Sequence, residues 1–96
     1  MKSPHEMLLE IARRAKDKRL SLNMTQQTLS EASGVSYGTL KKFERSGQIS
    51  LESLIKIALV LDELEKFEHL FVKSAEDLPT SIDELLKDKS RKRGRK

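Results

Sequence analysis

Three hydroxyl residues and two glycines cut this chain into short helices. Thr25, Ser36 and Ser50 each stand just before an apolar run, where a side-chain oxygen can accept from an amide that a helix start leaves free. Gly34 and Gly47 stand where such runs end; glycine enters the left-handed conformation of a helix C-terminus without steric cost. The spacing predicts one helix over Gln26 to Ala32 with Leu29 inward. It predicts another from Tyr37 to about Arg45 with Leu40 and Phe43 inward. A chain punctuated this often has no room for long strands or long coiled coils.

A longer helix precedes these. Ser3 fits its N-cap, Pro4 its first helical position and Glu6 the reciprocal place of a capping box. Leu8, Ile11, Ala12 and Ala15 then recur at helical spacing. In a fourth helix after Ser50, Leu51, Leu54, Ile55, Ala58 and Leu59 form one apolar stripe. Ile57, Val60, Leu61 and Leu64 form a second. Asp62 is expected to cap a fifth helix in which Leu64, Phe67, Leu70 and Phe71 continue the pattern. Helices apolar over so much of their circumference are buried on more than one side, and in a domain this small another chain can cover one side. Ile57, Val60, Leu61, Leu64, Phe67 and Phe71 are the expected contact of a homodimer. No strand pattern or internal repeat is visible. The fold class is therefore all-α, with five helices in one domain over residues 3–73. Residues 74–96 read as a linker, a short helical segment capped at Ser81 with Glu84 three residues on, and a basic, flexible tail.

Charge is distributed unevenly along this order. The net charge of +4 conceals a block at 13–45 with eight Lys/Arg against three acids. A block at 46–86 has nine acids against three Lys, and residues 87–96 carry seven Lys/Arg and one Asp. Basic blocks release condensed counterions when they meet phosphate, so nucleic acid is the first partner to consider. Other classes fall away. There are no cysteines, which excludes disulfide and thiolate chemistry. The longest apolar stretch, Ile57 to Leu61, is far too short to cross a bilayer, so no membrane partner is expected. The N-terminus shows no export signal, and the expected location is cytoplasmic, with the nucleoid. His5 and His69 are far apart without a helical partner, so no metal is expected. No nucleophile, base and orienting acid combine, and no phosphate loop occurs; neither enzyme activity nor a cofactor is expected. Glu63, Glu65 and Glu68 read as a solvated face.

Two short capped helices joined at a glycine turn cross steeply, and the second projects outward. That geometry lets a helix enter the major groove of DNA while its predecessor crosses the backbone. The outward positions of the third helix, Tyr37, Gly38, Lys41, Lys42 and Arg45, are polar or small. A lysine such as Lys42 can donate to guanine O6 or N7, and Gly38 leaves room for backbone or a thymine methyl. Each residue also has a plainer reading: Gln26 and Gln27 as solvated helix residues, Lys41, Lys42 and Arg45 as a charged face, Tyr37 as a surface aromatic.

Residues 10–71 resemble the helix-turn-helix family of phage repressor and Cro proteins, the xenobiotic-response-element family. The matching pattern is Thr25-Gln26-x-x-Leu29, then Gly34-Val35-Ser36, Thr39-Leu40-x-x-Phe43-Glu44 and Ser50-Leu51-x-x-Leu54-x-x-Ile57-Ala58. Two positions depart from the family: Ser30 where alanine is usual, and Gly38 where a longer side chain is common. The resemblance implies a lambda-repressor-like fold and a dimeric repressor of transcription that binds double-stranded DNA. It implies that Gln26 touches phosphate and braces the third helix, and that Tyr37, Gly38 and Lys42 read bases. Thr25, Gln27, Ser36, Thr39, Lys41 and Arg45 become nearby contacts to DNA, and Arg19 and Glu44 an ion pair tying the first helix to the third. A second resemblance covers residues 81–96, where Ser-Ile-Asp-Glu-Leu-Leu and a basic run are similar to the end of HipB-type antitoxins. It implies a HipA-like kinase toxin as partner. The tail is also open to a solubilising role or to acting as a phosphate clamp or minor-groove arm.

Overall fold

In the computed structural model, which describes residues 1–73, four helices begin on the hydroxyl caps that the sequence provides. They are α1 (Pro4–Ser21), α2 (Gln26–Ser33), α3 (Tyr37–Ser46) and α4 (Leu51–Val60); a single turn, α5 (Glu65–Glu68), follows. No strand occurs among the described residues. Ser3, Thr25, Ser36 and Ser50 hold extended backbone, and each accepts from the amide three residues on, at 3.0–3.1 Å. Such a cap contributes about 1 kcal/mol. At α1 the box is closed from both sides, because the Ser3 amide donates to Glu6 Oε1 at 2.8 Å. That backbone bond holds the Glu6 carboxyl below its ordinary value, with the Ser3 hydroxyl helping.

The helix ends differ in how they turn. Gly34 and Gly47 stop α2 and α3 with φ +80°. At the end of α1 the left-handed residue is Asn23, and at the end of α4 it is Asp62. Both form the double backbone bond that closes a helix C-terminus. Met24 donates to the Arg19 carbonyl and Asn23 to the Leu20 carbonyl, at 3.1 and 3.0 Å; Glu63 donates to Ala58 and Asp62 to Leu59, at 2.8 and 3.3 Å. Asp62 therefore terminates α4 and does not cap the fifth helix. The expectation is corrected: α5 starts at Glu65, after Leu64 and without a side-chain cap, and ends at Glu68, before Leu70 and Phe71.

Ala12 of α1, Leu29 of α2, Leu40 and Phe43 of α3, and Ile57 and Leu61 around α4 meet in one core with Val35 of the turn. Ile11, Ala15, Met24, Ile49, Leu54 and Val60 pack against its edge. α3 lies against both α1 and α2, and α2 lies also against α4. Ile57 and Leu61 are 1% and 2% exposed, so the expected dimer stripe needs correcting at both. The second apolar stripe of α4 closes the chain's own core. The apolar residues it leaves outside are Leu51 and Leu59, with Ile55 half-buried between them. The expected linker, the Ser81 cap and the basic tail lie outside the described residues.

Candidate nucleic-acid interface

The placement of α3 rests on a single carboxylate. Glu44 takes Arg19 Nε on Oε2 at 2.8 Å and Arg19 Nη2 on Oε1 at 3.0 Å, a two-pronged pair between the end of α1 and α3. Both side chains are about 95% covered, at 6% and 5% exposure. The remaining donors are also used. Arg19 Nη1 donates to the Met24 carbonyl at 2.8 Å, and Gln26 Nε2 donates to Glu44 Oε1 at 2.9 Å. Among the described residues no buried side-chain polar atom lacks a partner. One acid thus fixes α1, the loop after it, the start of α2 and α3 relative to one another. A planar guanidinium suits this, since its fork matches a carboxylate while a third nitrogen reaches elsewhere.

The turn between α2 and α3 is held by two serines. Ser30 Oγ donates to the Val35 carbonyl at 2.6 Å, and the Val35 amide donates to Ser33 Oγ at 3.2 Å. Both backbone groups of a buried residue are thereby paired. In the sequence Ser30 stands only as a departure from the family's usual alanine; the signal missed was a serine five residues before the valine that precedes the α3 cap, within reach of its carbonyl. Thr28 was missed as well. Its hydroxyl accepts from Thr25 at 3.0 Å, as the Thr39 hydroxyl accepts from Ser36 at 2.8 Å, so α2 and α3 start alike.

With α3 so fixed, Leu40 and Phe43 point into the core, and Tyr37, Gly38, Lys41, Lys42 and Arg45 stand exposed together on its outer side. Thr25, Gln27 and Ser36 are exposed near the starts of α2 and α3. Thr39 is half-buried, and Gln26 is half-buried with its amide nitrogen turned inward to Glu44. The Lys41 ammonium sits 5.2 Å from the centre of the Tyr37 ring.

Ion pairing sorts the charges of the basic block. On α1, Arg13 and Arg14 meet Glu10 at 2.6 and 3.1 Å, and Arg13 also meets Asp17 at 3.2 Å. Lys18 meets Glu63 at 3.4 Å and Arg19 meets Glu44. The Arg13 hydrogen bond holds the Glu10 carboxyl low, and Lys66, at 2.6 Å, does the same for Glu63. Among the described residues, Lys41, Lys42 and Arg45 have no carboxylate within ion-pair reach. The uncompensated positive charge of the block is concentrated on the outer side of α3, with Lys16 on α1. Among the described residues, no cluster of acids and histidines could hold a metal ion, and no helix is long and apolar enough to cross a membrane.

No curated protein matches the chain. A family model described as "Helix-turn-helix" matches residues 16–67, more than half of it. The match runs from the second half of α1 into α5 and so spans the Arg19–Glu44 pair, the capped helices α2, α3 and α4, and the core residues other than Ala12. The chain belongs to the helix-turn-helix family of the xenobiotic-response-element type, a family of DNA-binding domains and not of enzymes.

Proposed function

We propose that the protein is a homodimeric repressor of transcription that reads operator DNA in the major groove with the outer side of α3. The observation that carries this is the sorting of charge among the described residues: Arg13 and Arg14 pair with acids of α1 itself, while α3 presents Lys41, Lys42 and Arg45 with no carboxylate in ion-pair reach on a rigidly held helix. In this reading the exposed starts of α2 and α3, with Thr25, Gln27 and Ser36, lie along phosphates. Gln26 braces α3 through Glu44, and Lys42 reads a base edge. Lys42→Ala is expected to cost about 1–3 kcal/mol at a selected site, and less on random duplex, in titrations at one fixed salt concentration. Equal losses on both would overturn the base-reading role.

The dimer follows from area. One recognition helix covers too little DNA for useful affinity, and two half-sites a helical turn apart supply it. Val60, Leu64 and Phe67 are half-buried, and Phe71 is 97% exposed. These four carry the contact in this reading, since Ile57 and Leu61 are spent on the core. Phe71→Glu removes nothing from the chain's own packing. It should shift sedimentation at tens of micromolar from dimer toward monomer while leaving helicity unchanged. A wild-type chain that sediments as a monomer with and without DNA would end the proposal. Footprinting of the DNA upstream of the protein's own gene tests operator binding there, and transcription from that DNA with and without the protein tests repression.

A further inference from the structure

We propose that the gap at Gly38 reads the 5-methyl group that thymine, or a methylated cytosine, presents in the major groove. The inference rests on the operator-reading function above and deepens it. Gly38 is the second residue of α3, in the stretch of a recognition helix that meets base edges. Among the described residues nothing calls for glycine there. Gly34 and Gly47 need φ +80°, whereas Gly38 has ordinary helical backbone. Beyond its chain neighbours and the backbone of its own helix, a Cβ placed on it would meet no atom within 4 Å. Glycine inside a helix is less favourable than alanine. The missing side chain therefore serves no contact within the described residues and leaves the α3 backbone open to approach on its exposed side.

Its surroundings favour an apolar occupant. Residues three and four positions on in a helix are surface neighbours, so Lys41 and Lys42 border the gap. Neither reaches into it, and the Lys41 ammonium is drawn over the half-exposed Tyr37 ring, 5.2 Å from its centre. Donor and acceptor groups on base edges are then left to Lys42. Among those edges the group that offers only apolar surface is the C5-methyl of thymine. A methyl shares that place in 5-methylcytosine. Filling the gap with the protein's own methyl would exclude the base's methyl.

The test uses the full chain and a site selected from random duplex DNA. Each thymine of that site is replaced in turn by uracil, which lacks only the methyl, and affinities are read at one salt concentration. One replacement per half-site is expected to weaken wild-type binding roughly three- to tenfold. Gly38→Ala should bind the thymine duplex more weakly and no longer distinguish thymine from uracil there. Its melting temperature should equal or exceed that of wild type, which separates the effect from unfolding. At the same position 5-methylcytosine should bind more tightly than cytosine. If no uracil replacement weakens wild type, or if Gly38→Ala still distinguishes the two bases, the gap reads no methyl. Failure to enrich any sequence is a different result, and it overturns the operator-reading function together with this inference.

Discussion

Arg19→Met should lower the stability of the domain by about 3–5 kcal/mol in urea unfolding followed by helical circular dichroism. The substitution keeps most of the side chain's bulk and removes its charge. It leaves Glu44, 5% exposed, with one remaining partner, Gln26, in place of three bonds' worth of compensation. It also leaves the Met24 carbonyl without the guanidinium that it accepts from. A domain of this size has only about 5–10 kcal/mol in total, so the loss removes roughly a third or more of its stability. Arg19→Lys does not rescue, because a single ammonium cannot grip both carboxylate oxygens and reach the Met24 carbonyl at once. The informative variant is the pair Arg19→Met with Glu44→Leu. Removing both charges removes the uncompensated one, and the double change should cost clearly less than the two single changes added together. Additive losses would show that Arg19 acts through packing alone and that the pair does not hold α3 in place.

That pair also marks how far the sequence is legible. The starts of α1 to α4 depend on groups three residues apart: Ser3 with Glu6, Thr25 with Thr28, Ser36 with Thr39, Ser50 with Ser53. Such short-range bonds leave a short-range pattern. Arg19 and Glu44 are 25 positions apart, and no spacing rule reveals them; only resemblance to a family suggested the pair. Asp62 was misread because its side chain suits two places. It can cap a helix start through its oxygen, or tolerate positive φ just past a helix end, and the local residues do not say which. What decides is Leu61, which has to be buried beneath α4 before the chain turns. The same limit applies to Ile57 and Leu61 as dimer contacts. Periodicity shows that a face of α4 is covered, but not whether this chain or a second copy covers it. Charge behaved in the opposite way. The basic block was legible as a count, yet only the placement of Glu10, Asp17, Glu44 and Glu63 shows that the surplus stands on α3.

Gly47→Ala is expected to destabilise by roughly 2–5 kcal/mol, far more than the same change at Gly34. Both glycines have φ +80°, so both substitutions bear the cost of a left-handed non-glycine residue, about 1–2 kcal/mol. At Gly34 the added carbon enters open space, and the cost ends there. At Gly47 it would lie 2.7 Å from the backbone carbon and oxygen of Leu8 and 2.8 Å from its Cβ. Those atoms belong to the body of α1 and cannot swing aside as a side-chain tip would, so the two helices must separate. Forced separation of packed elements adds about 1–3 kcal/mol. Parallel thermal and urea melts of the two variants isolate this second contribution, and equal losses would disprove it. The close approach has a further consequence. The end of α3 is held against α1 at Gly47, as its interior is held through Glu44. A wedge at Gly47 should therefore weaken DNA binding by the fraction that stays folded, at temperatures well below its melt. Gly34→Ala leaves both restraints on α3 intact and should bind DNA as wild type does once corrected for its folded fraction.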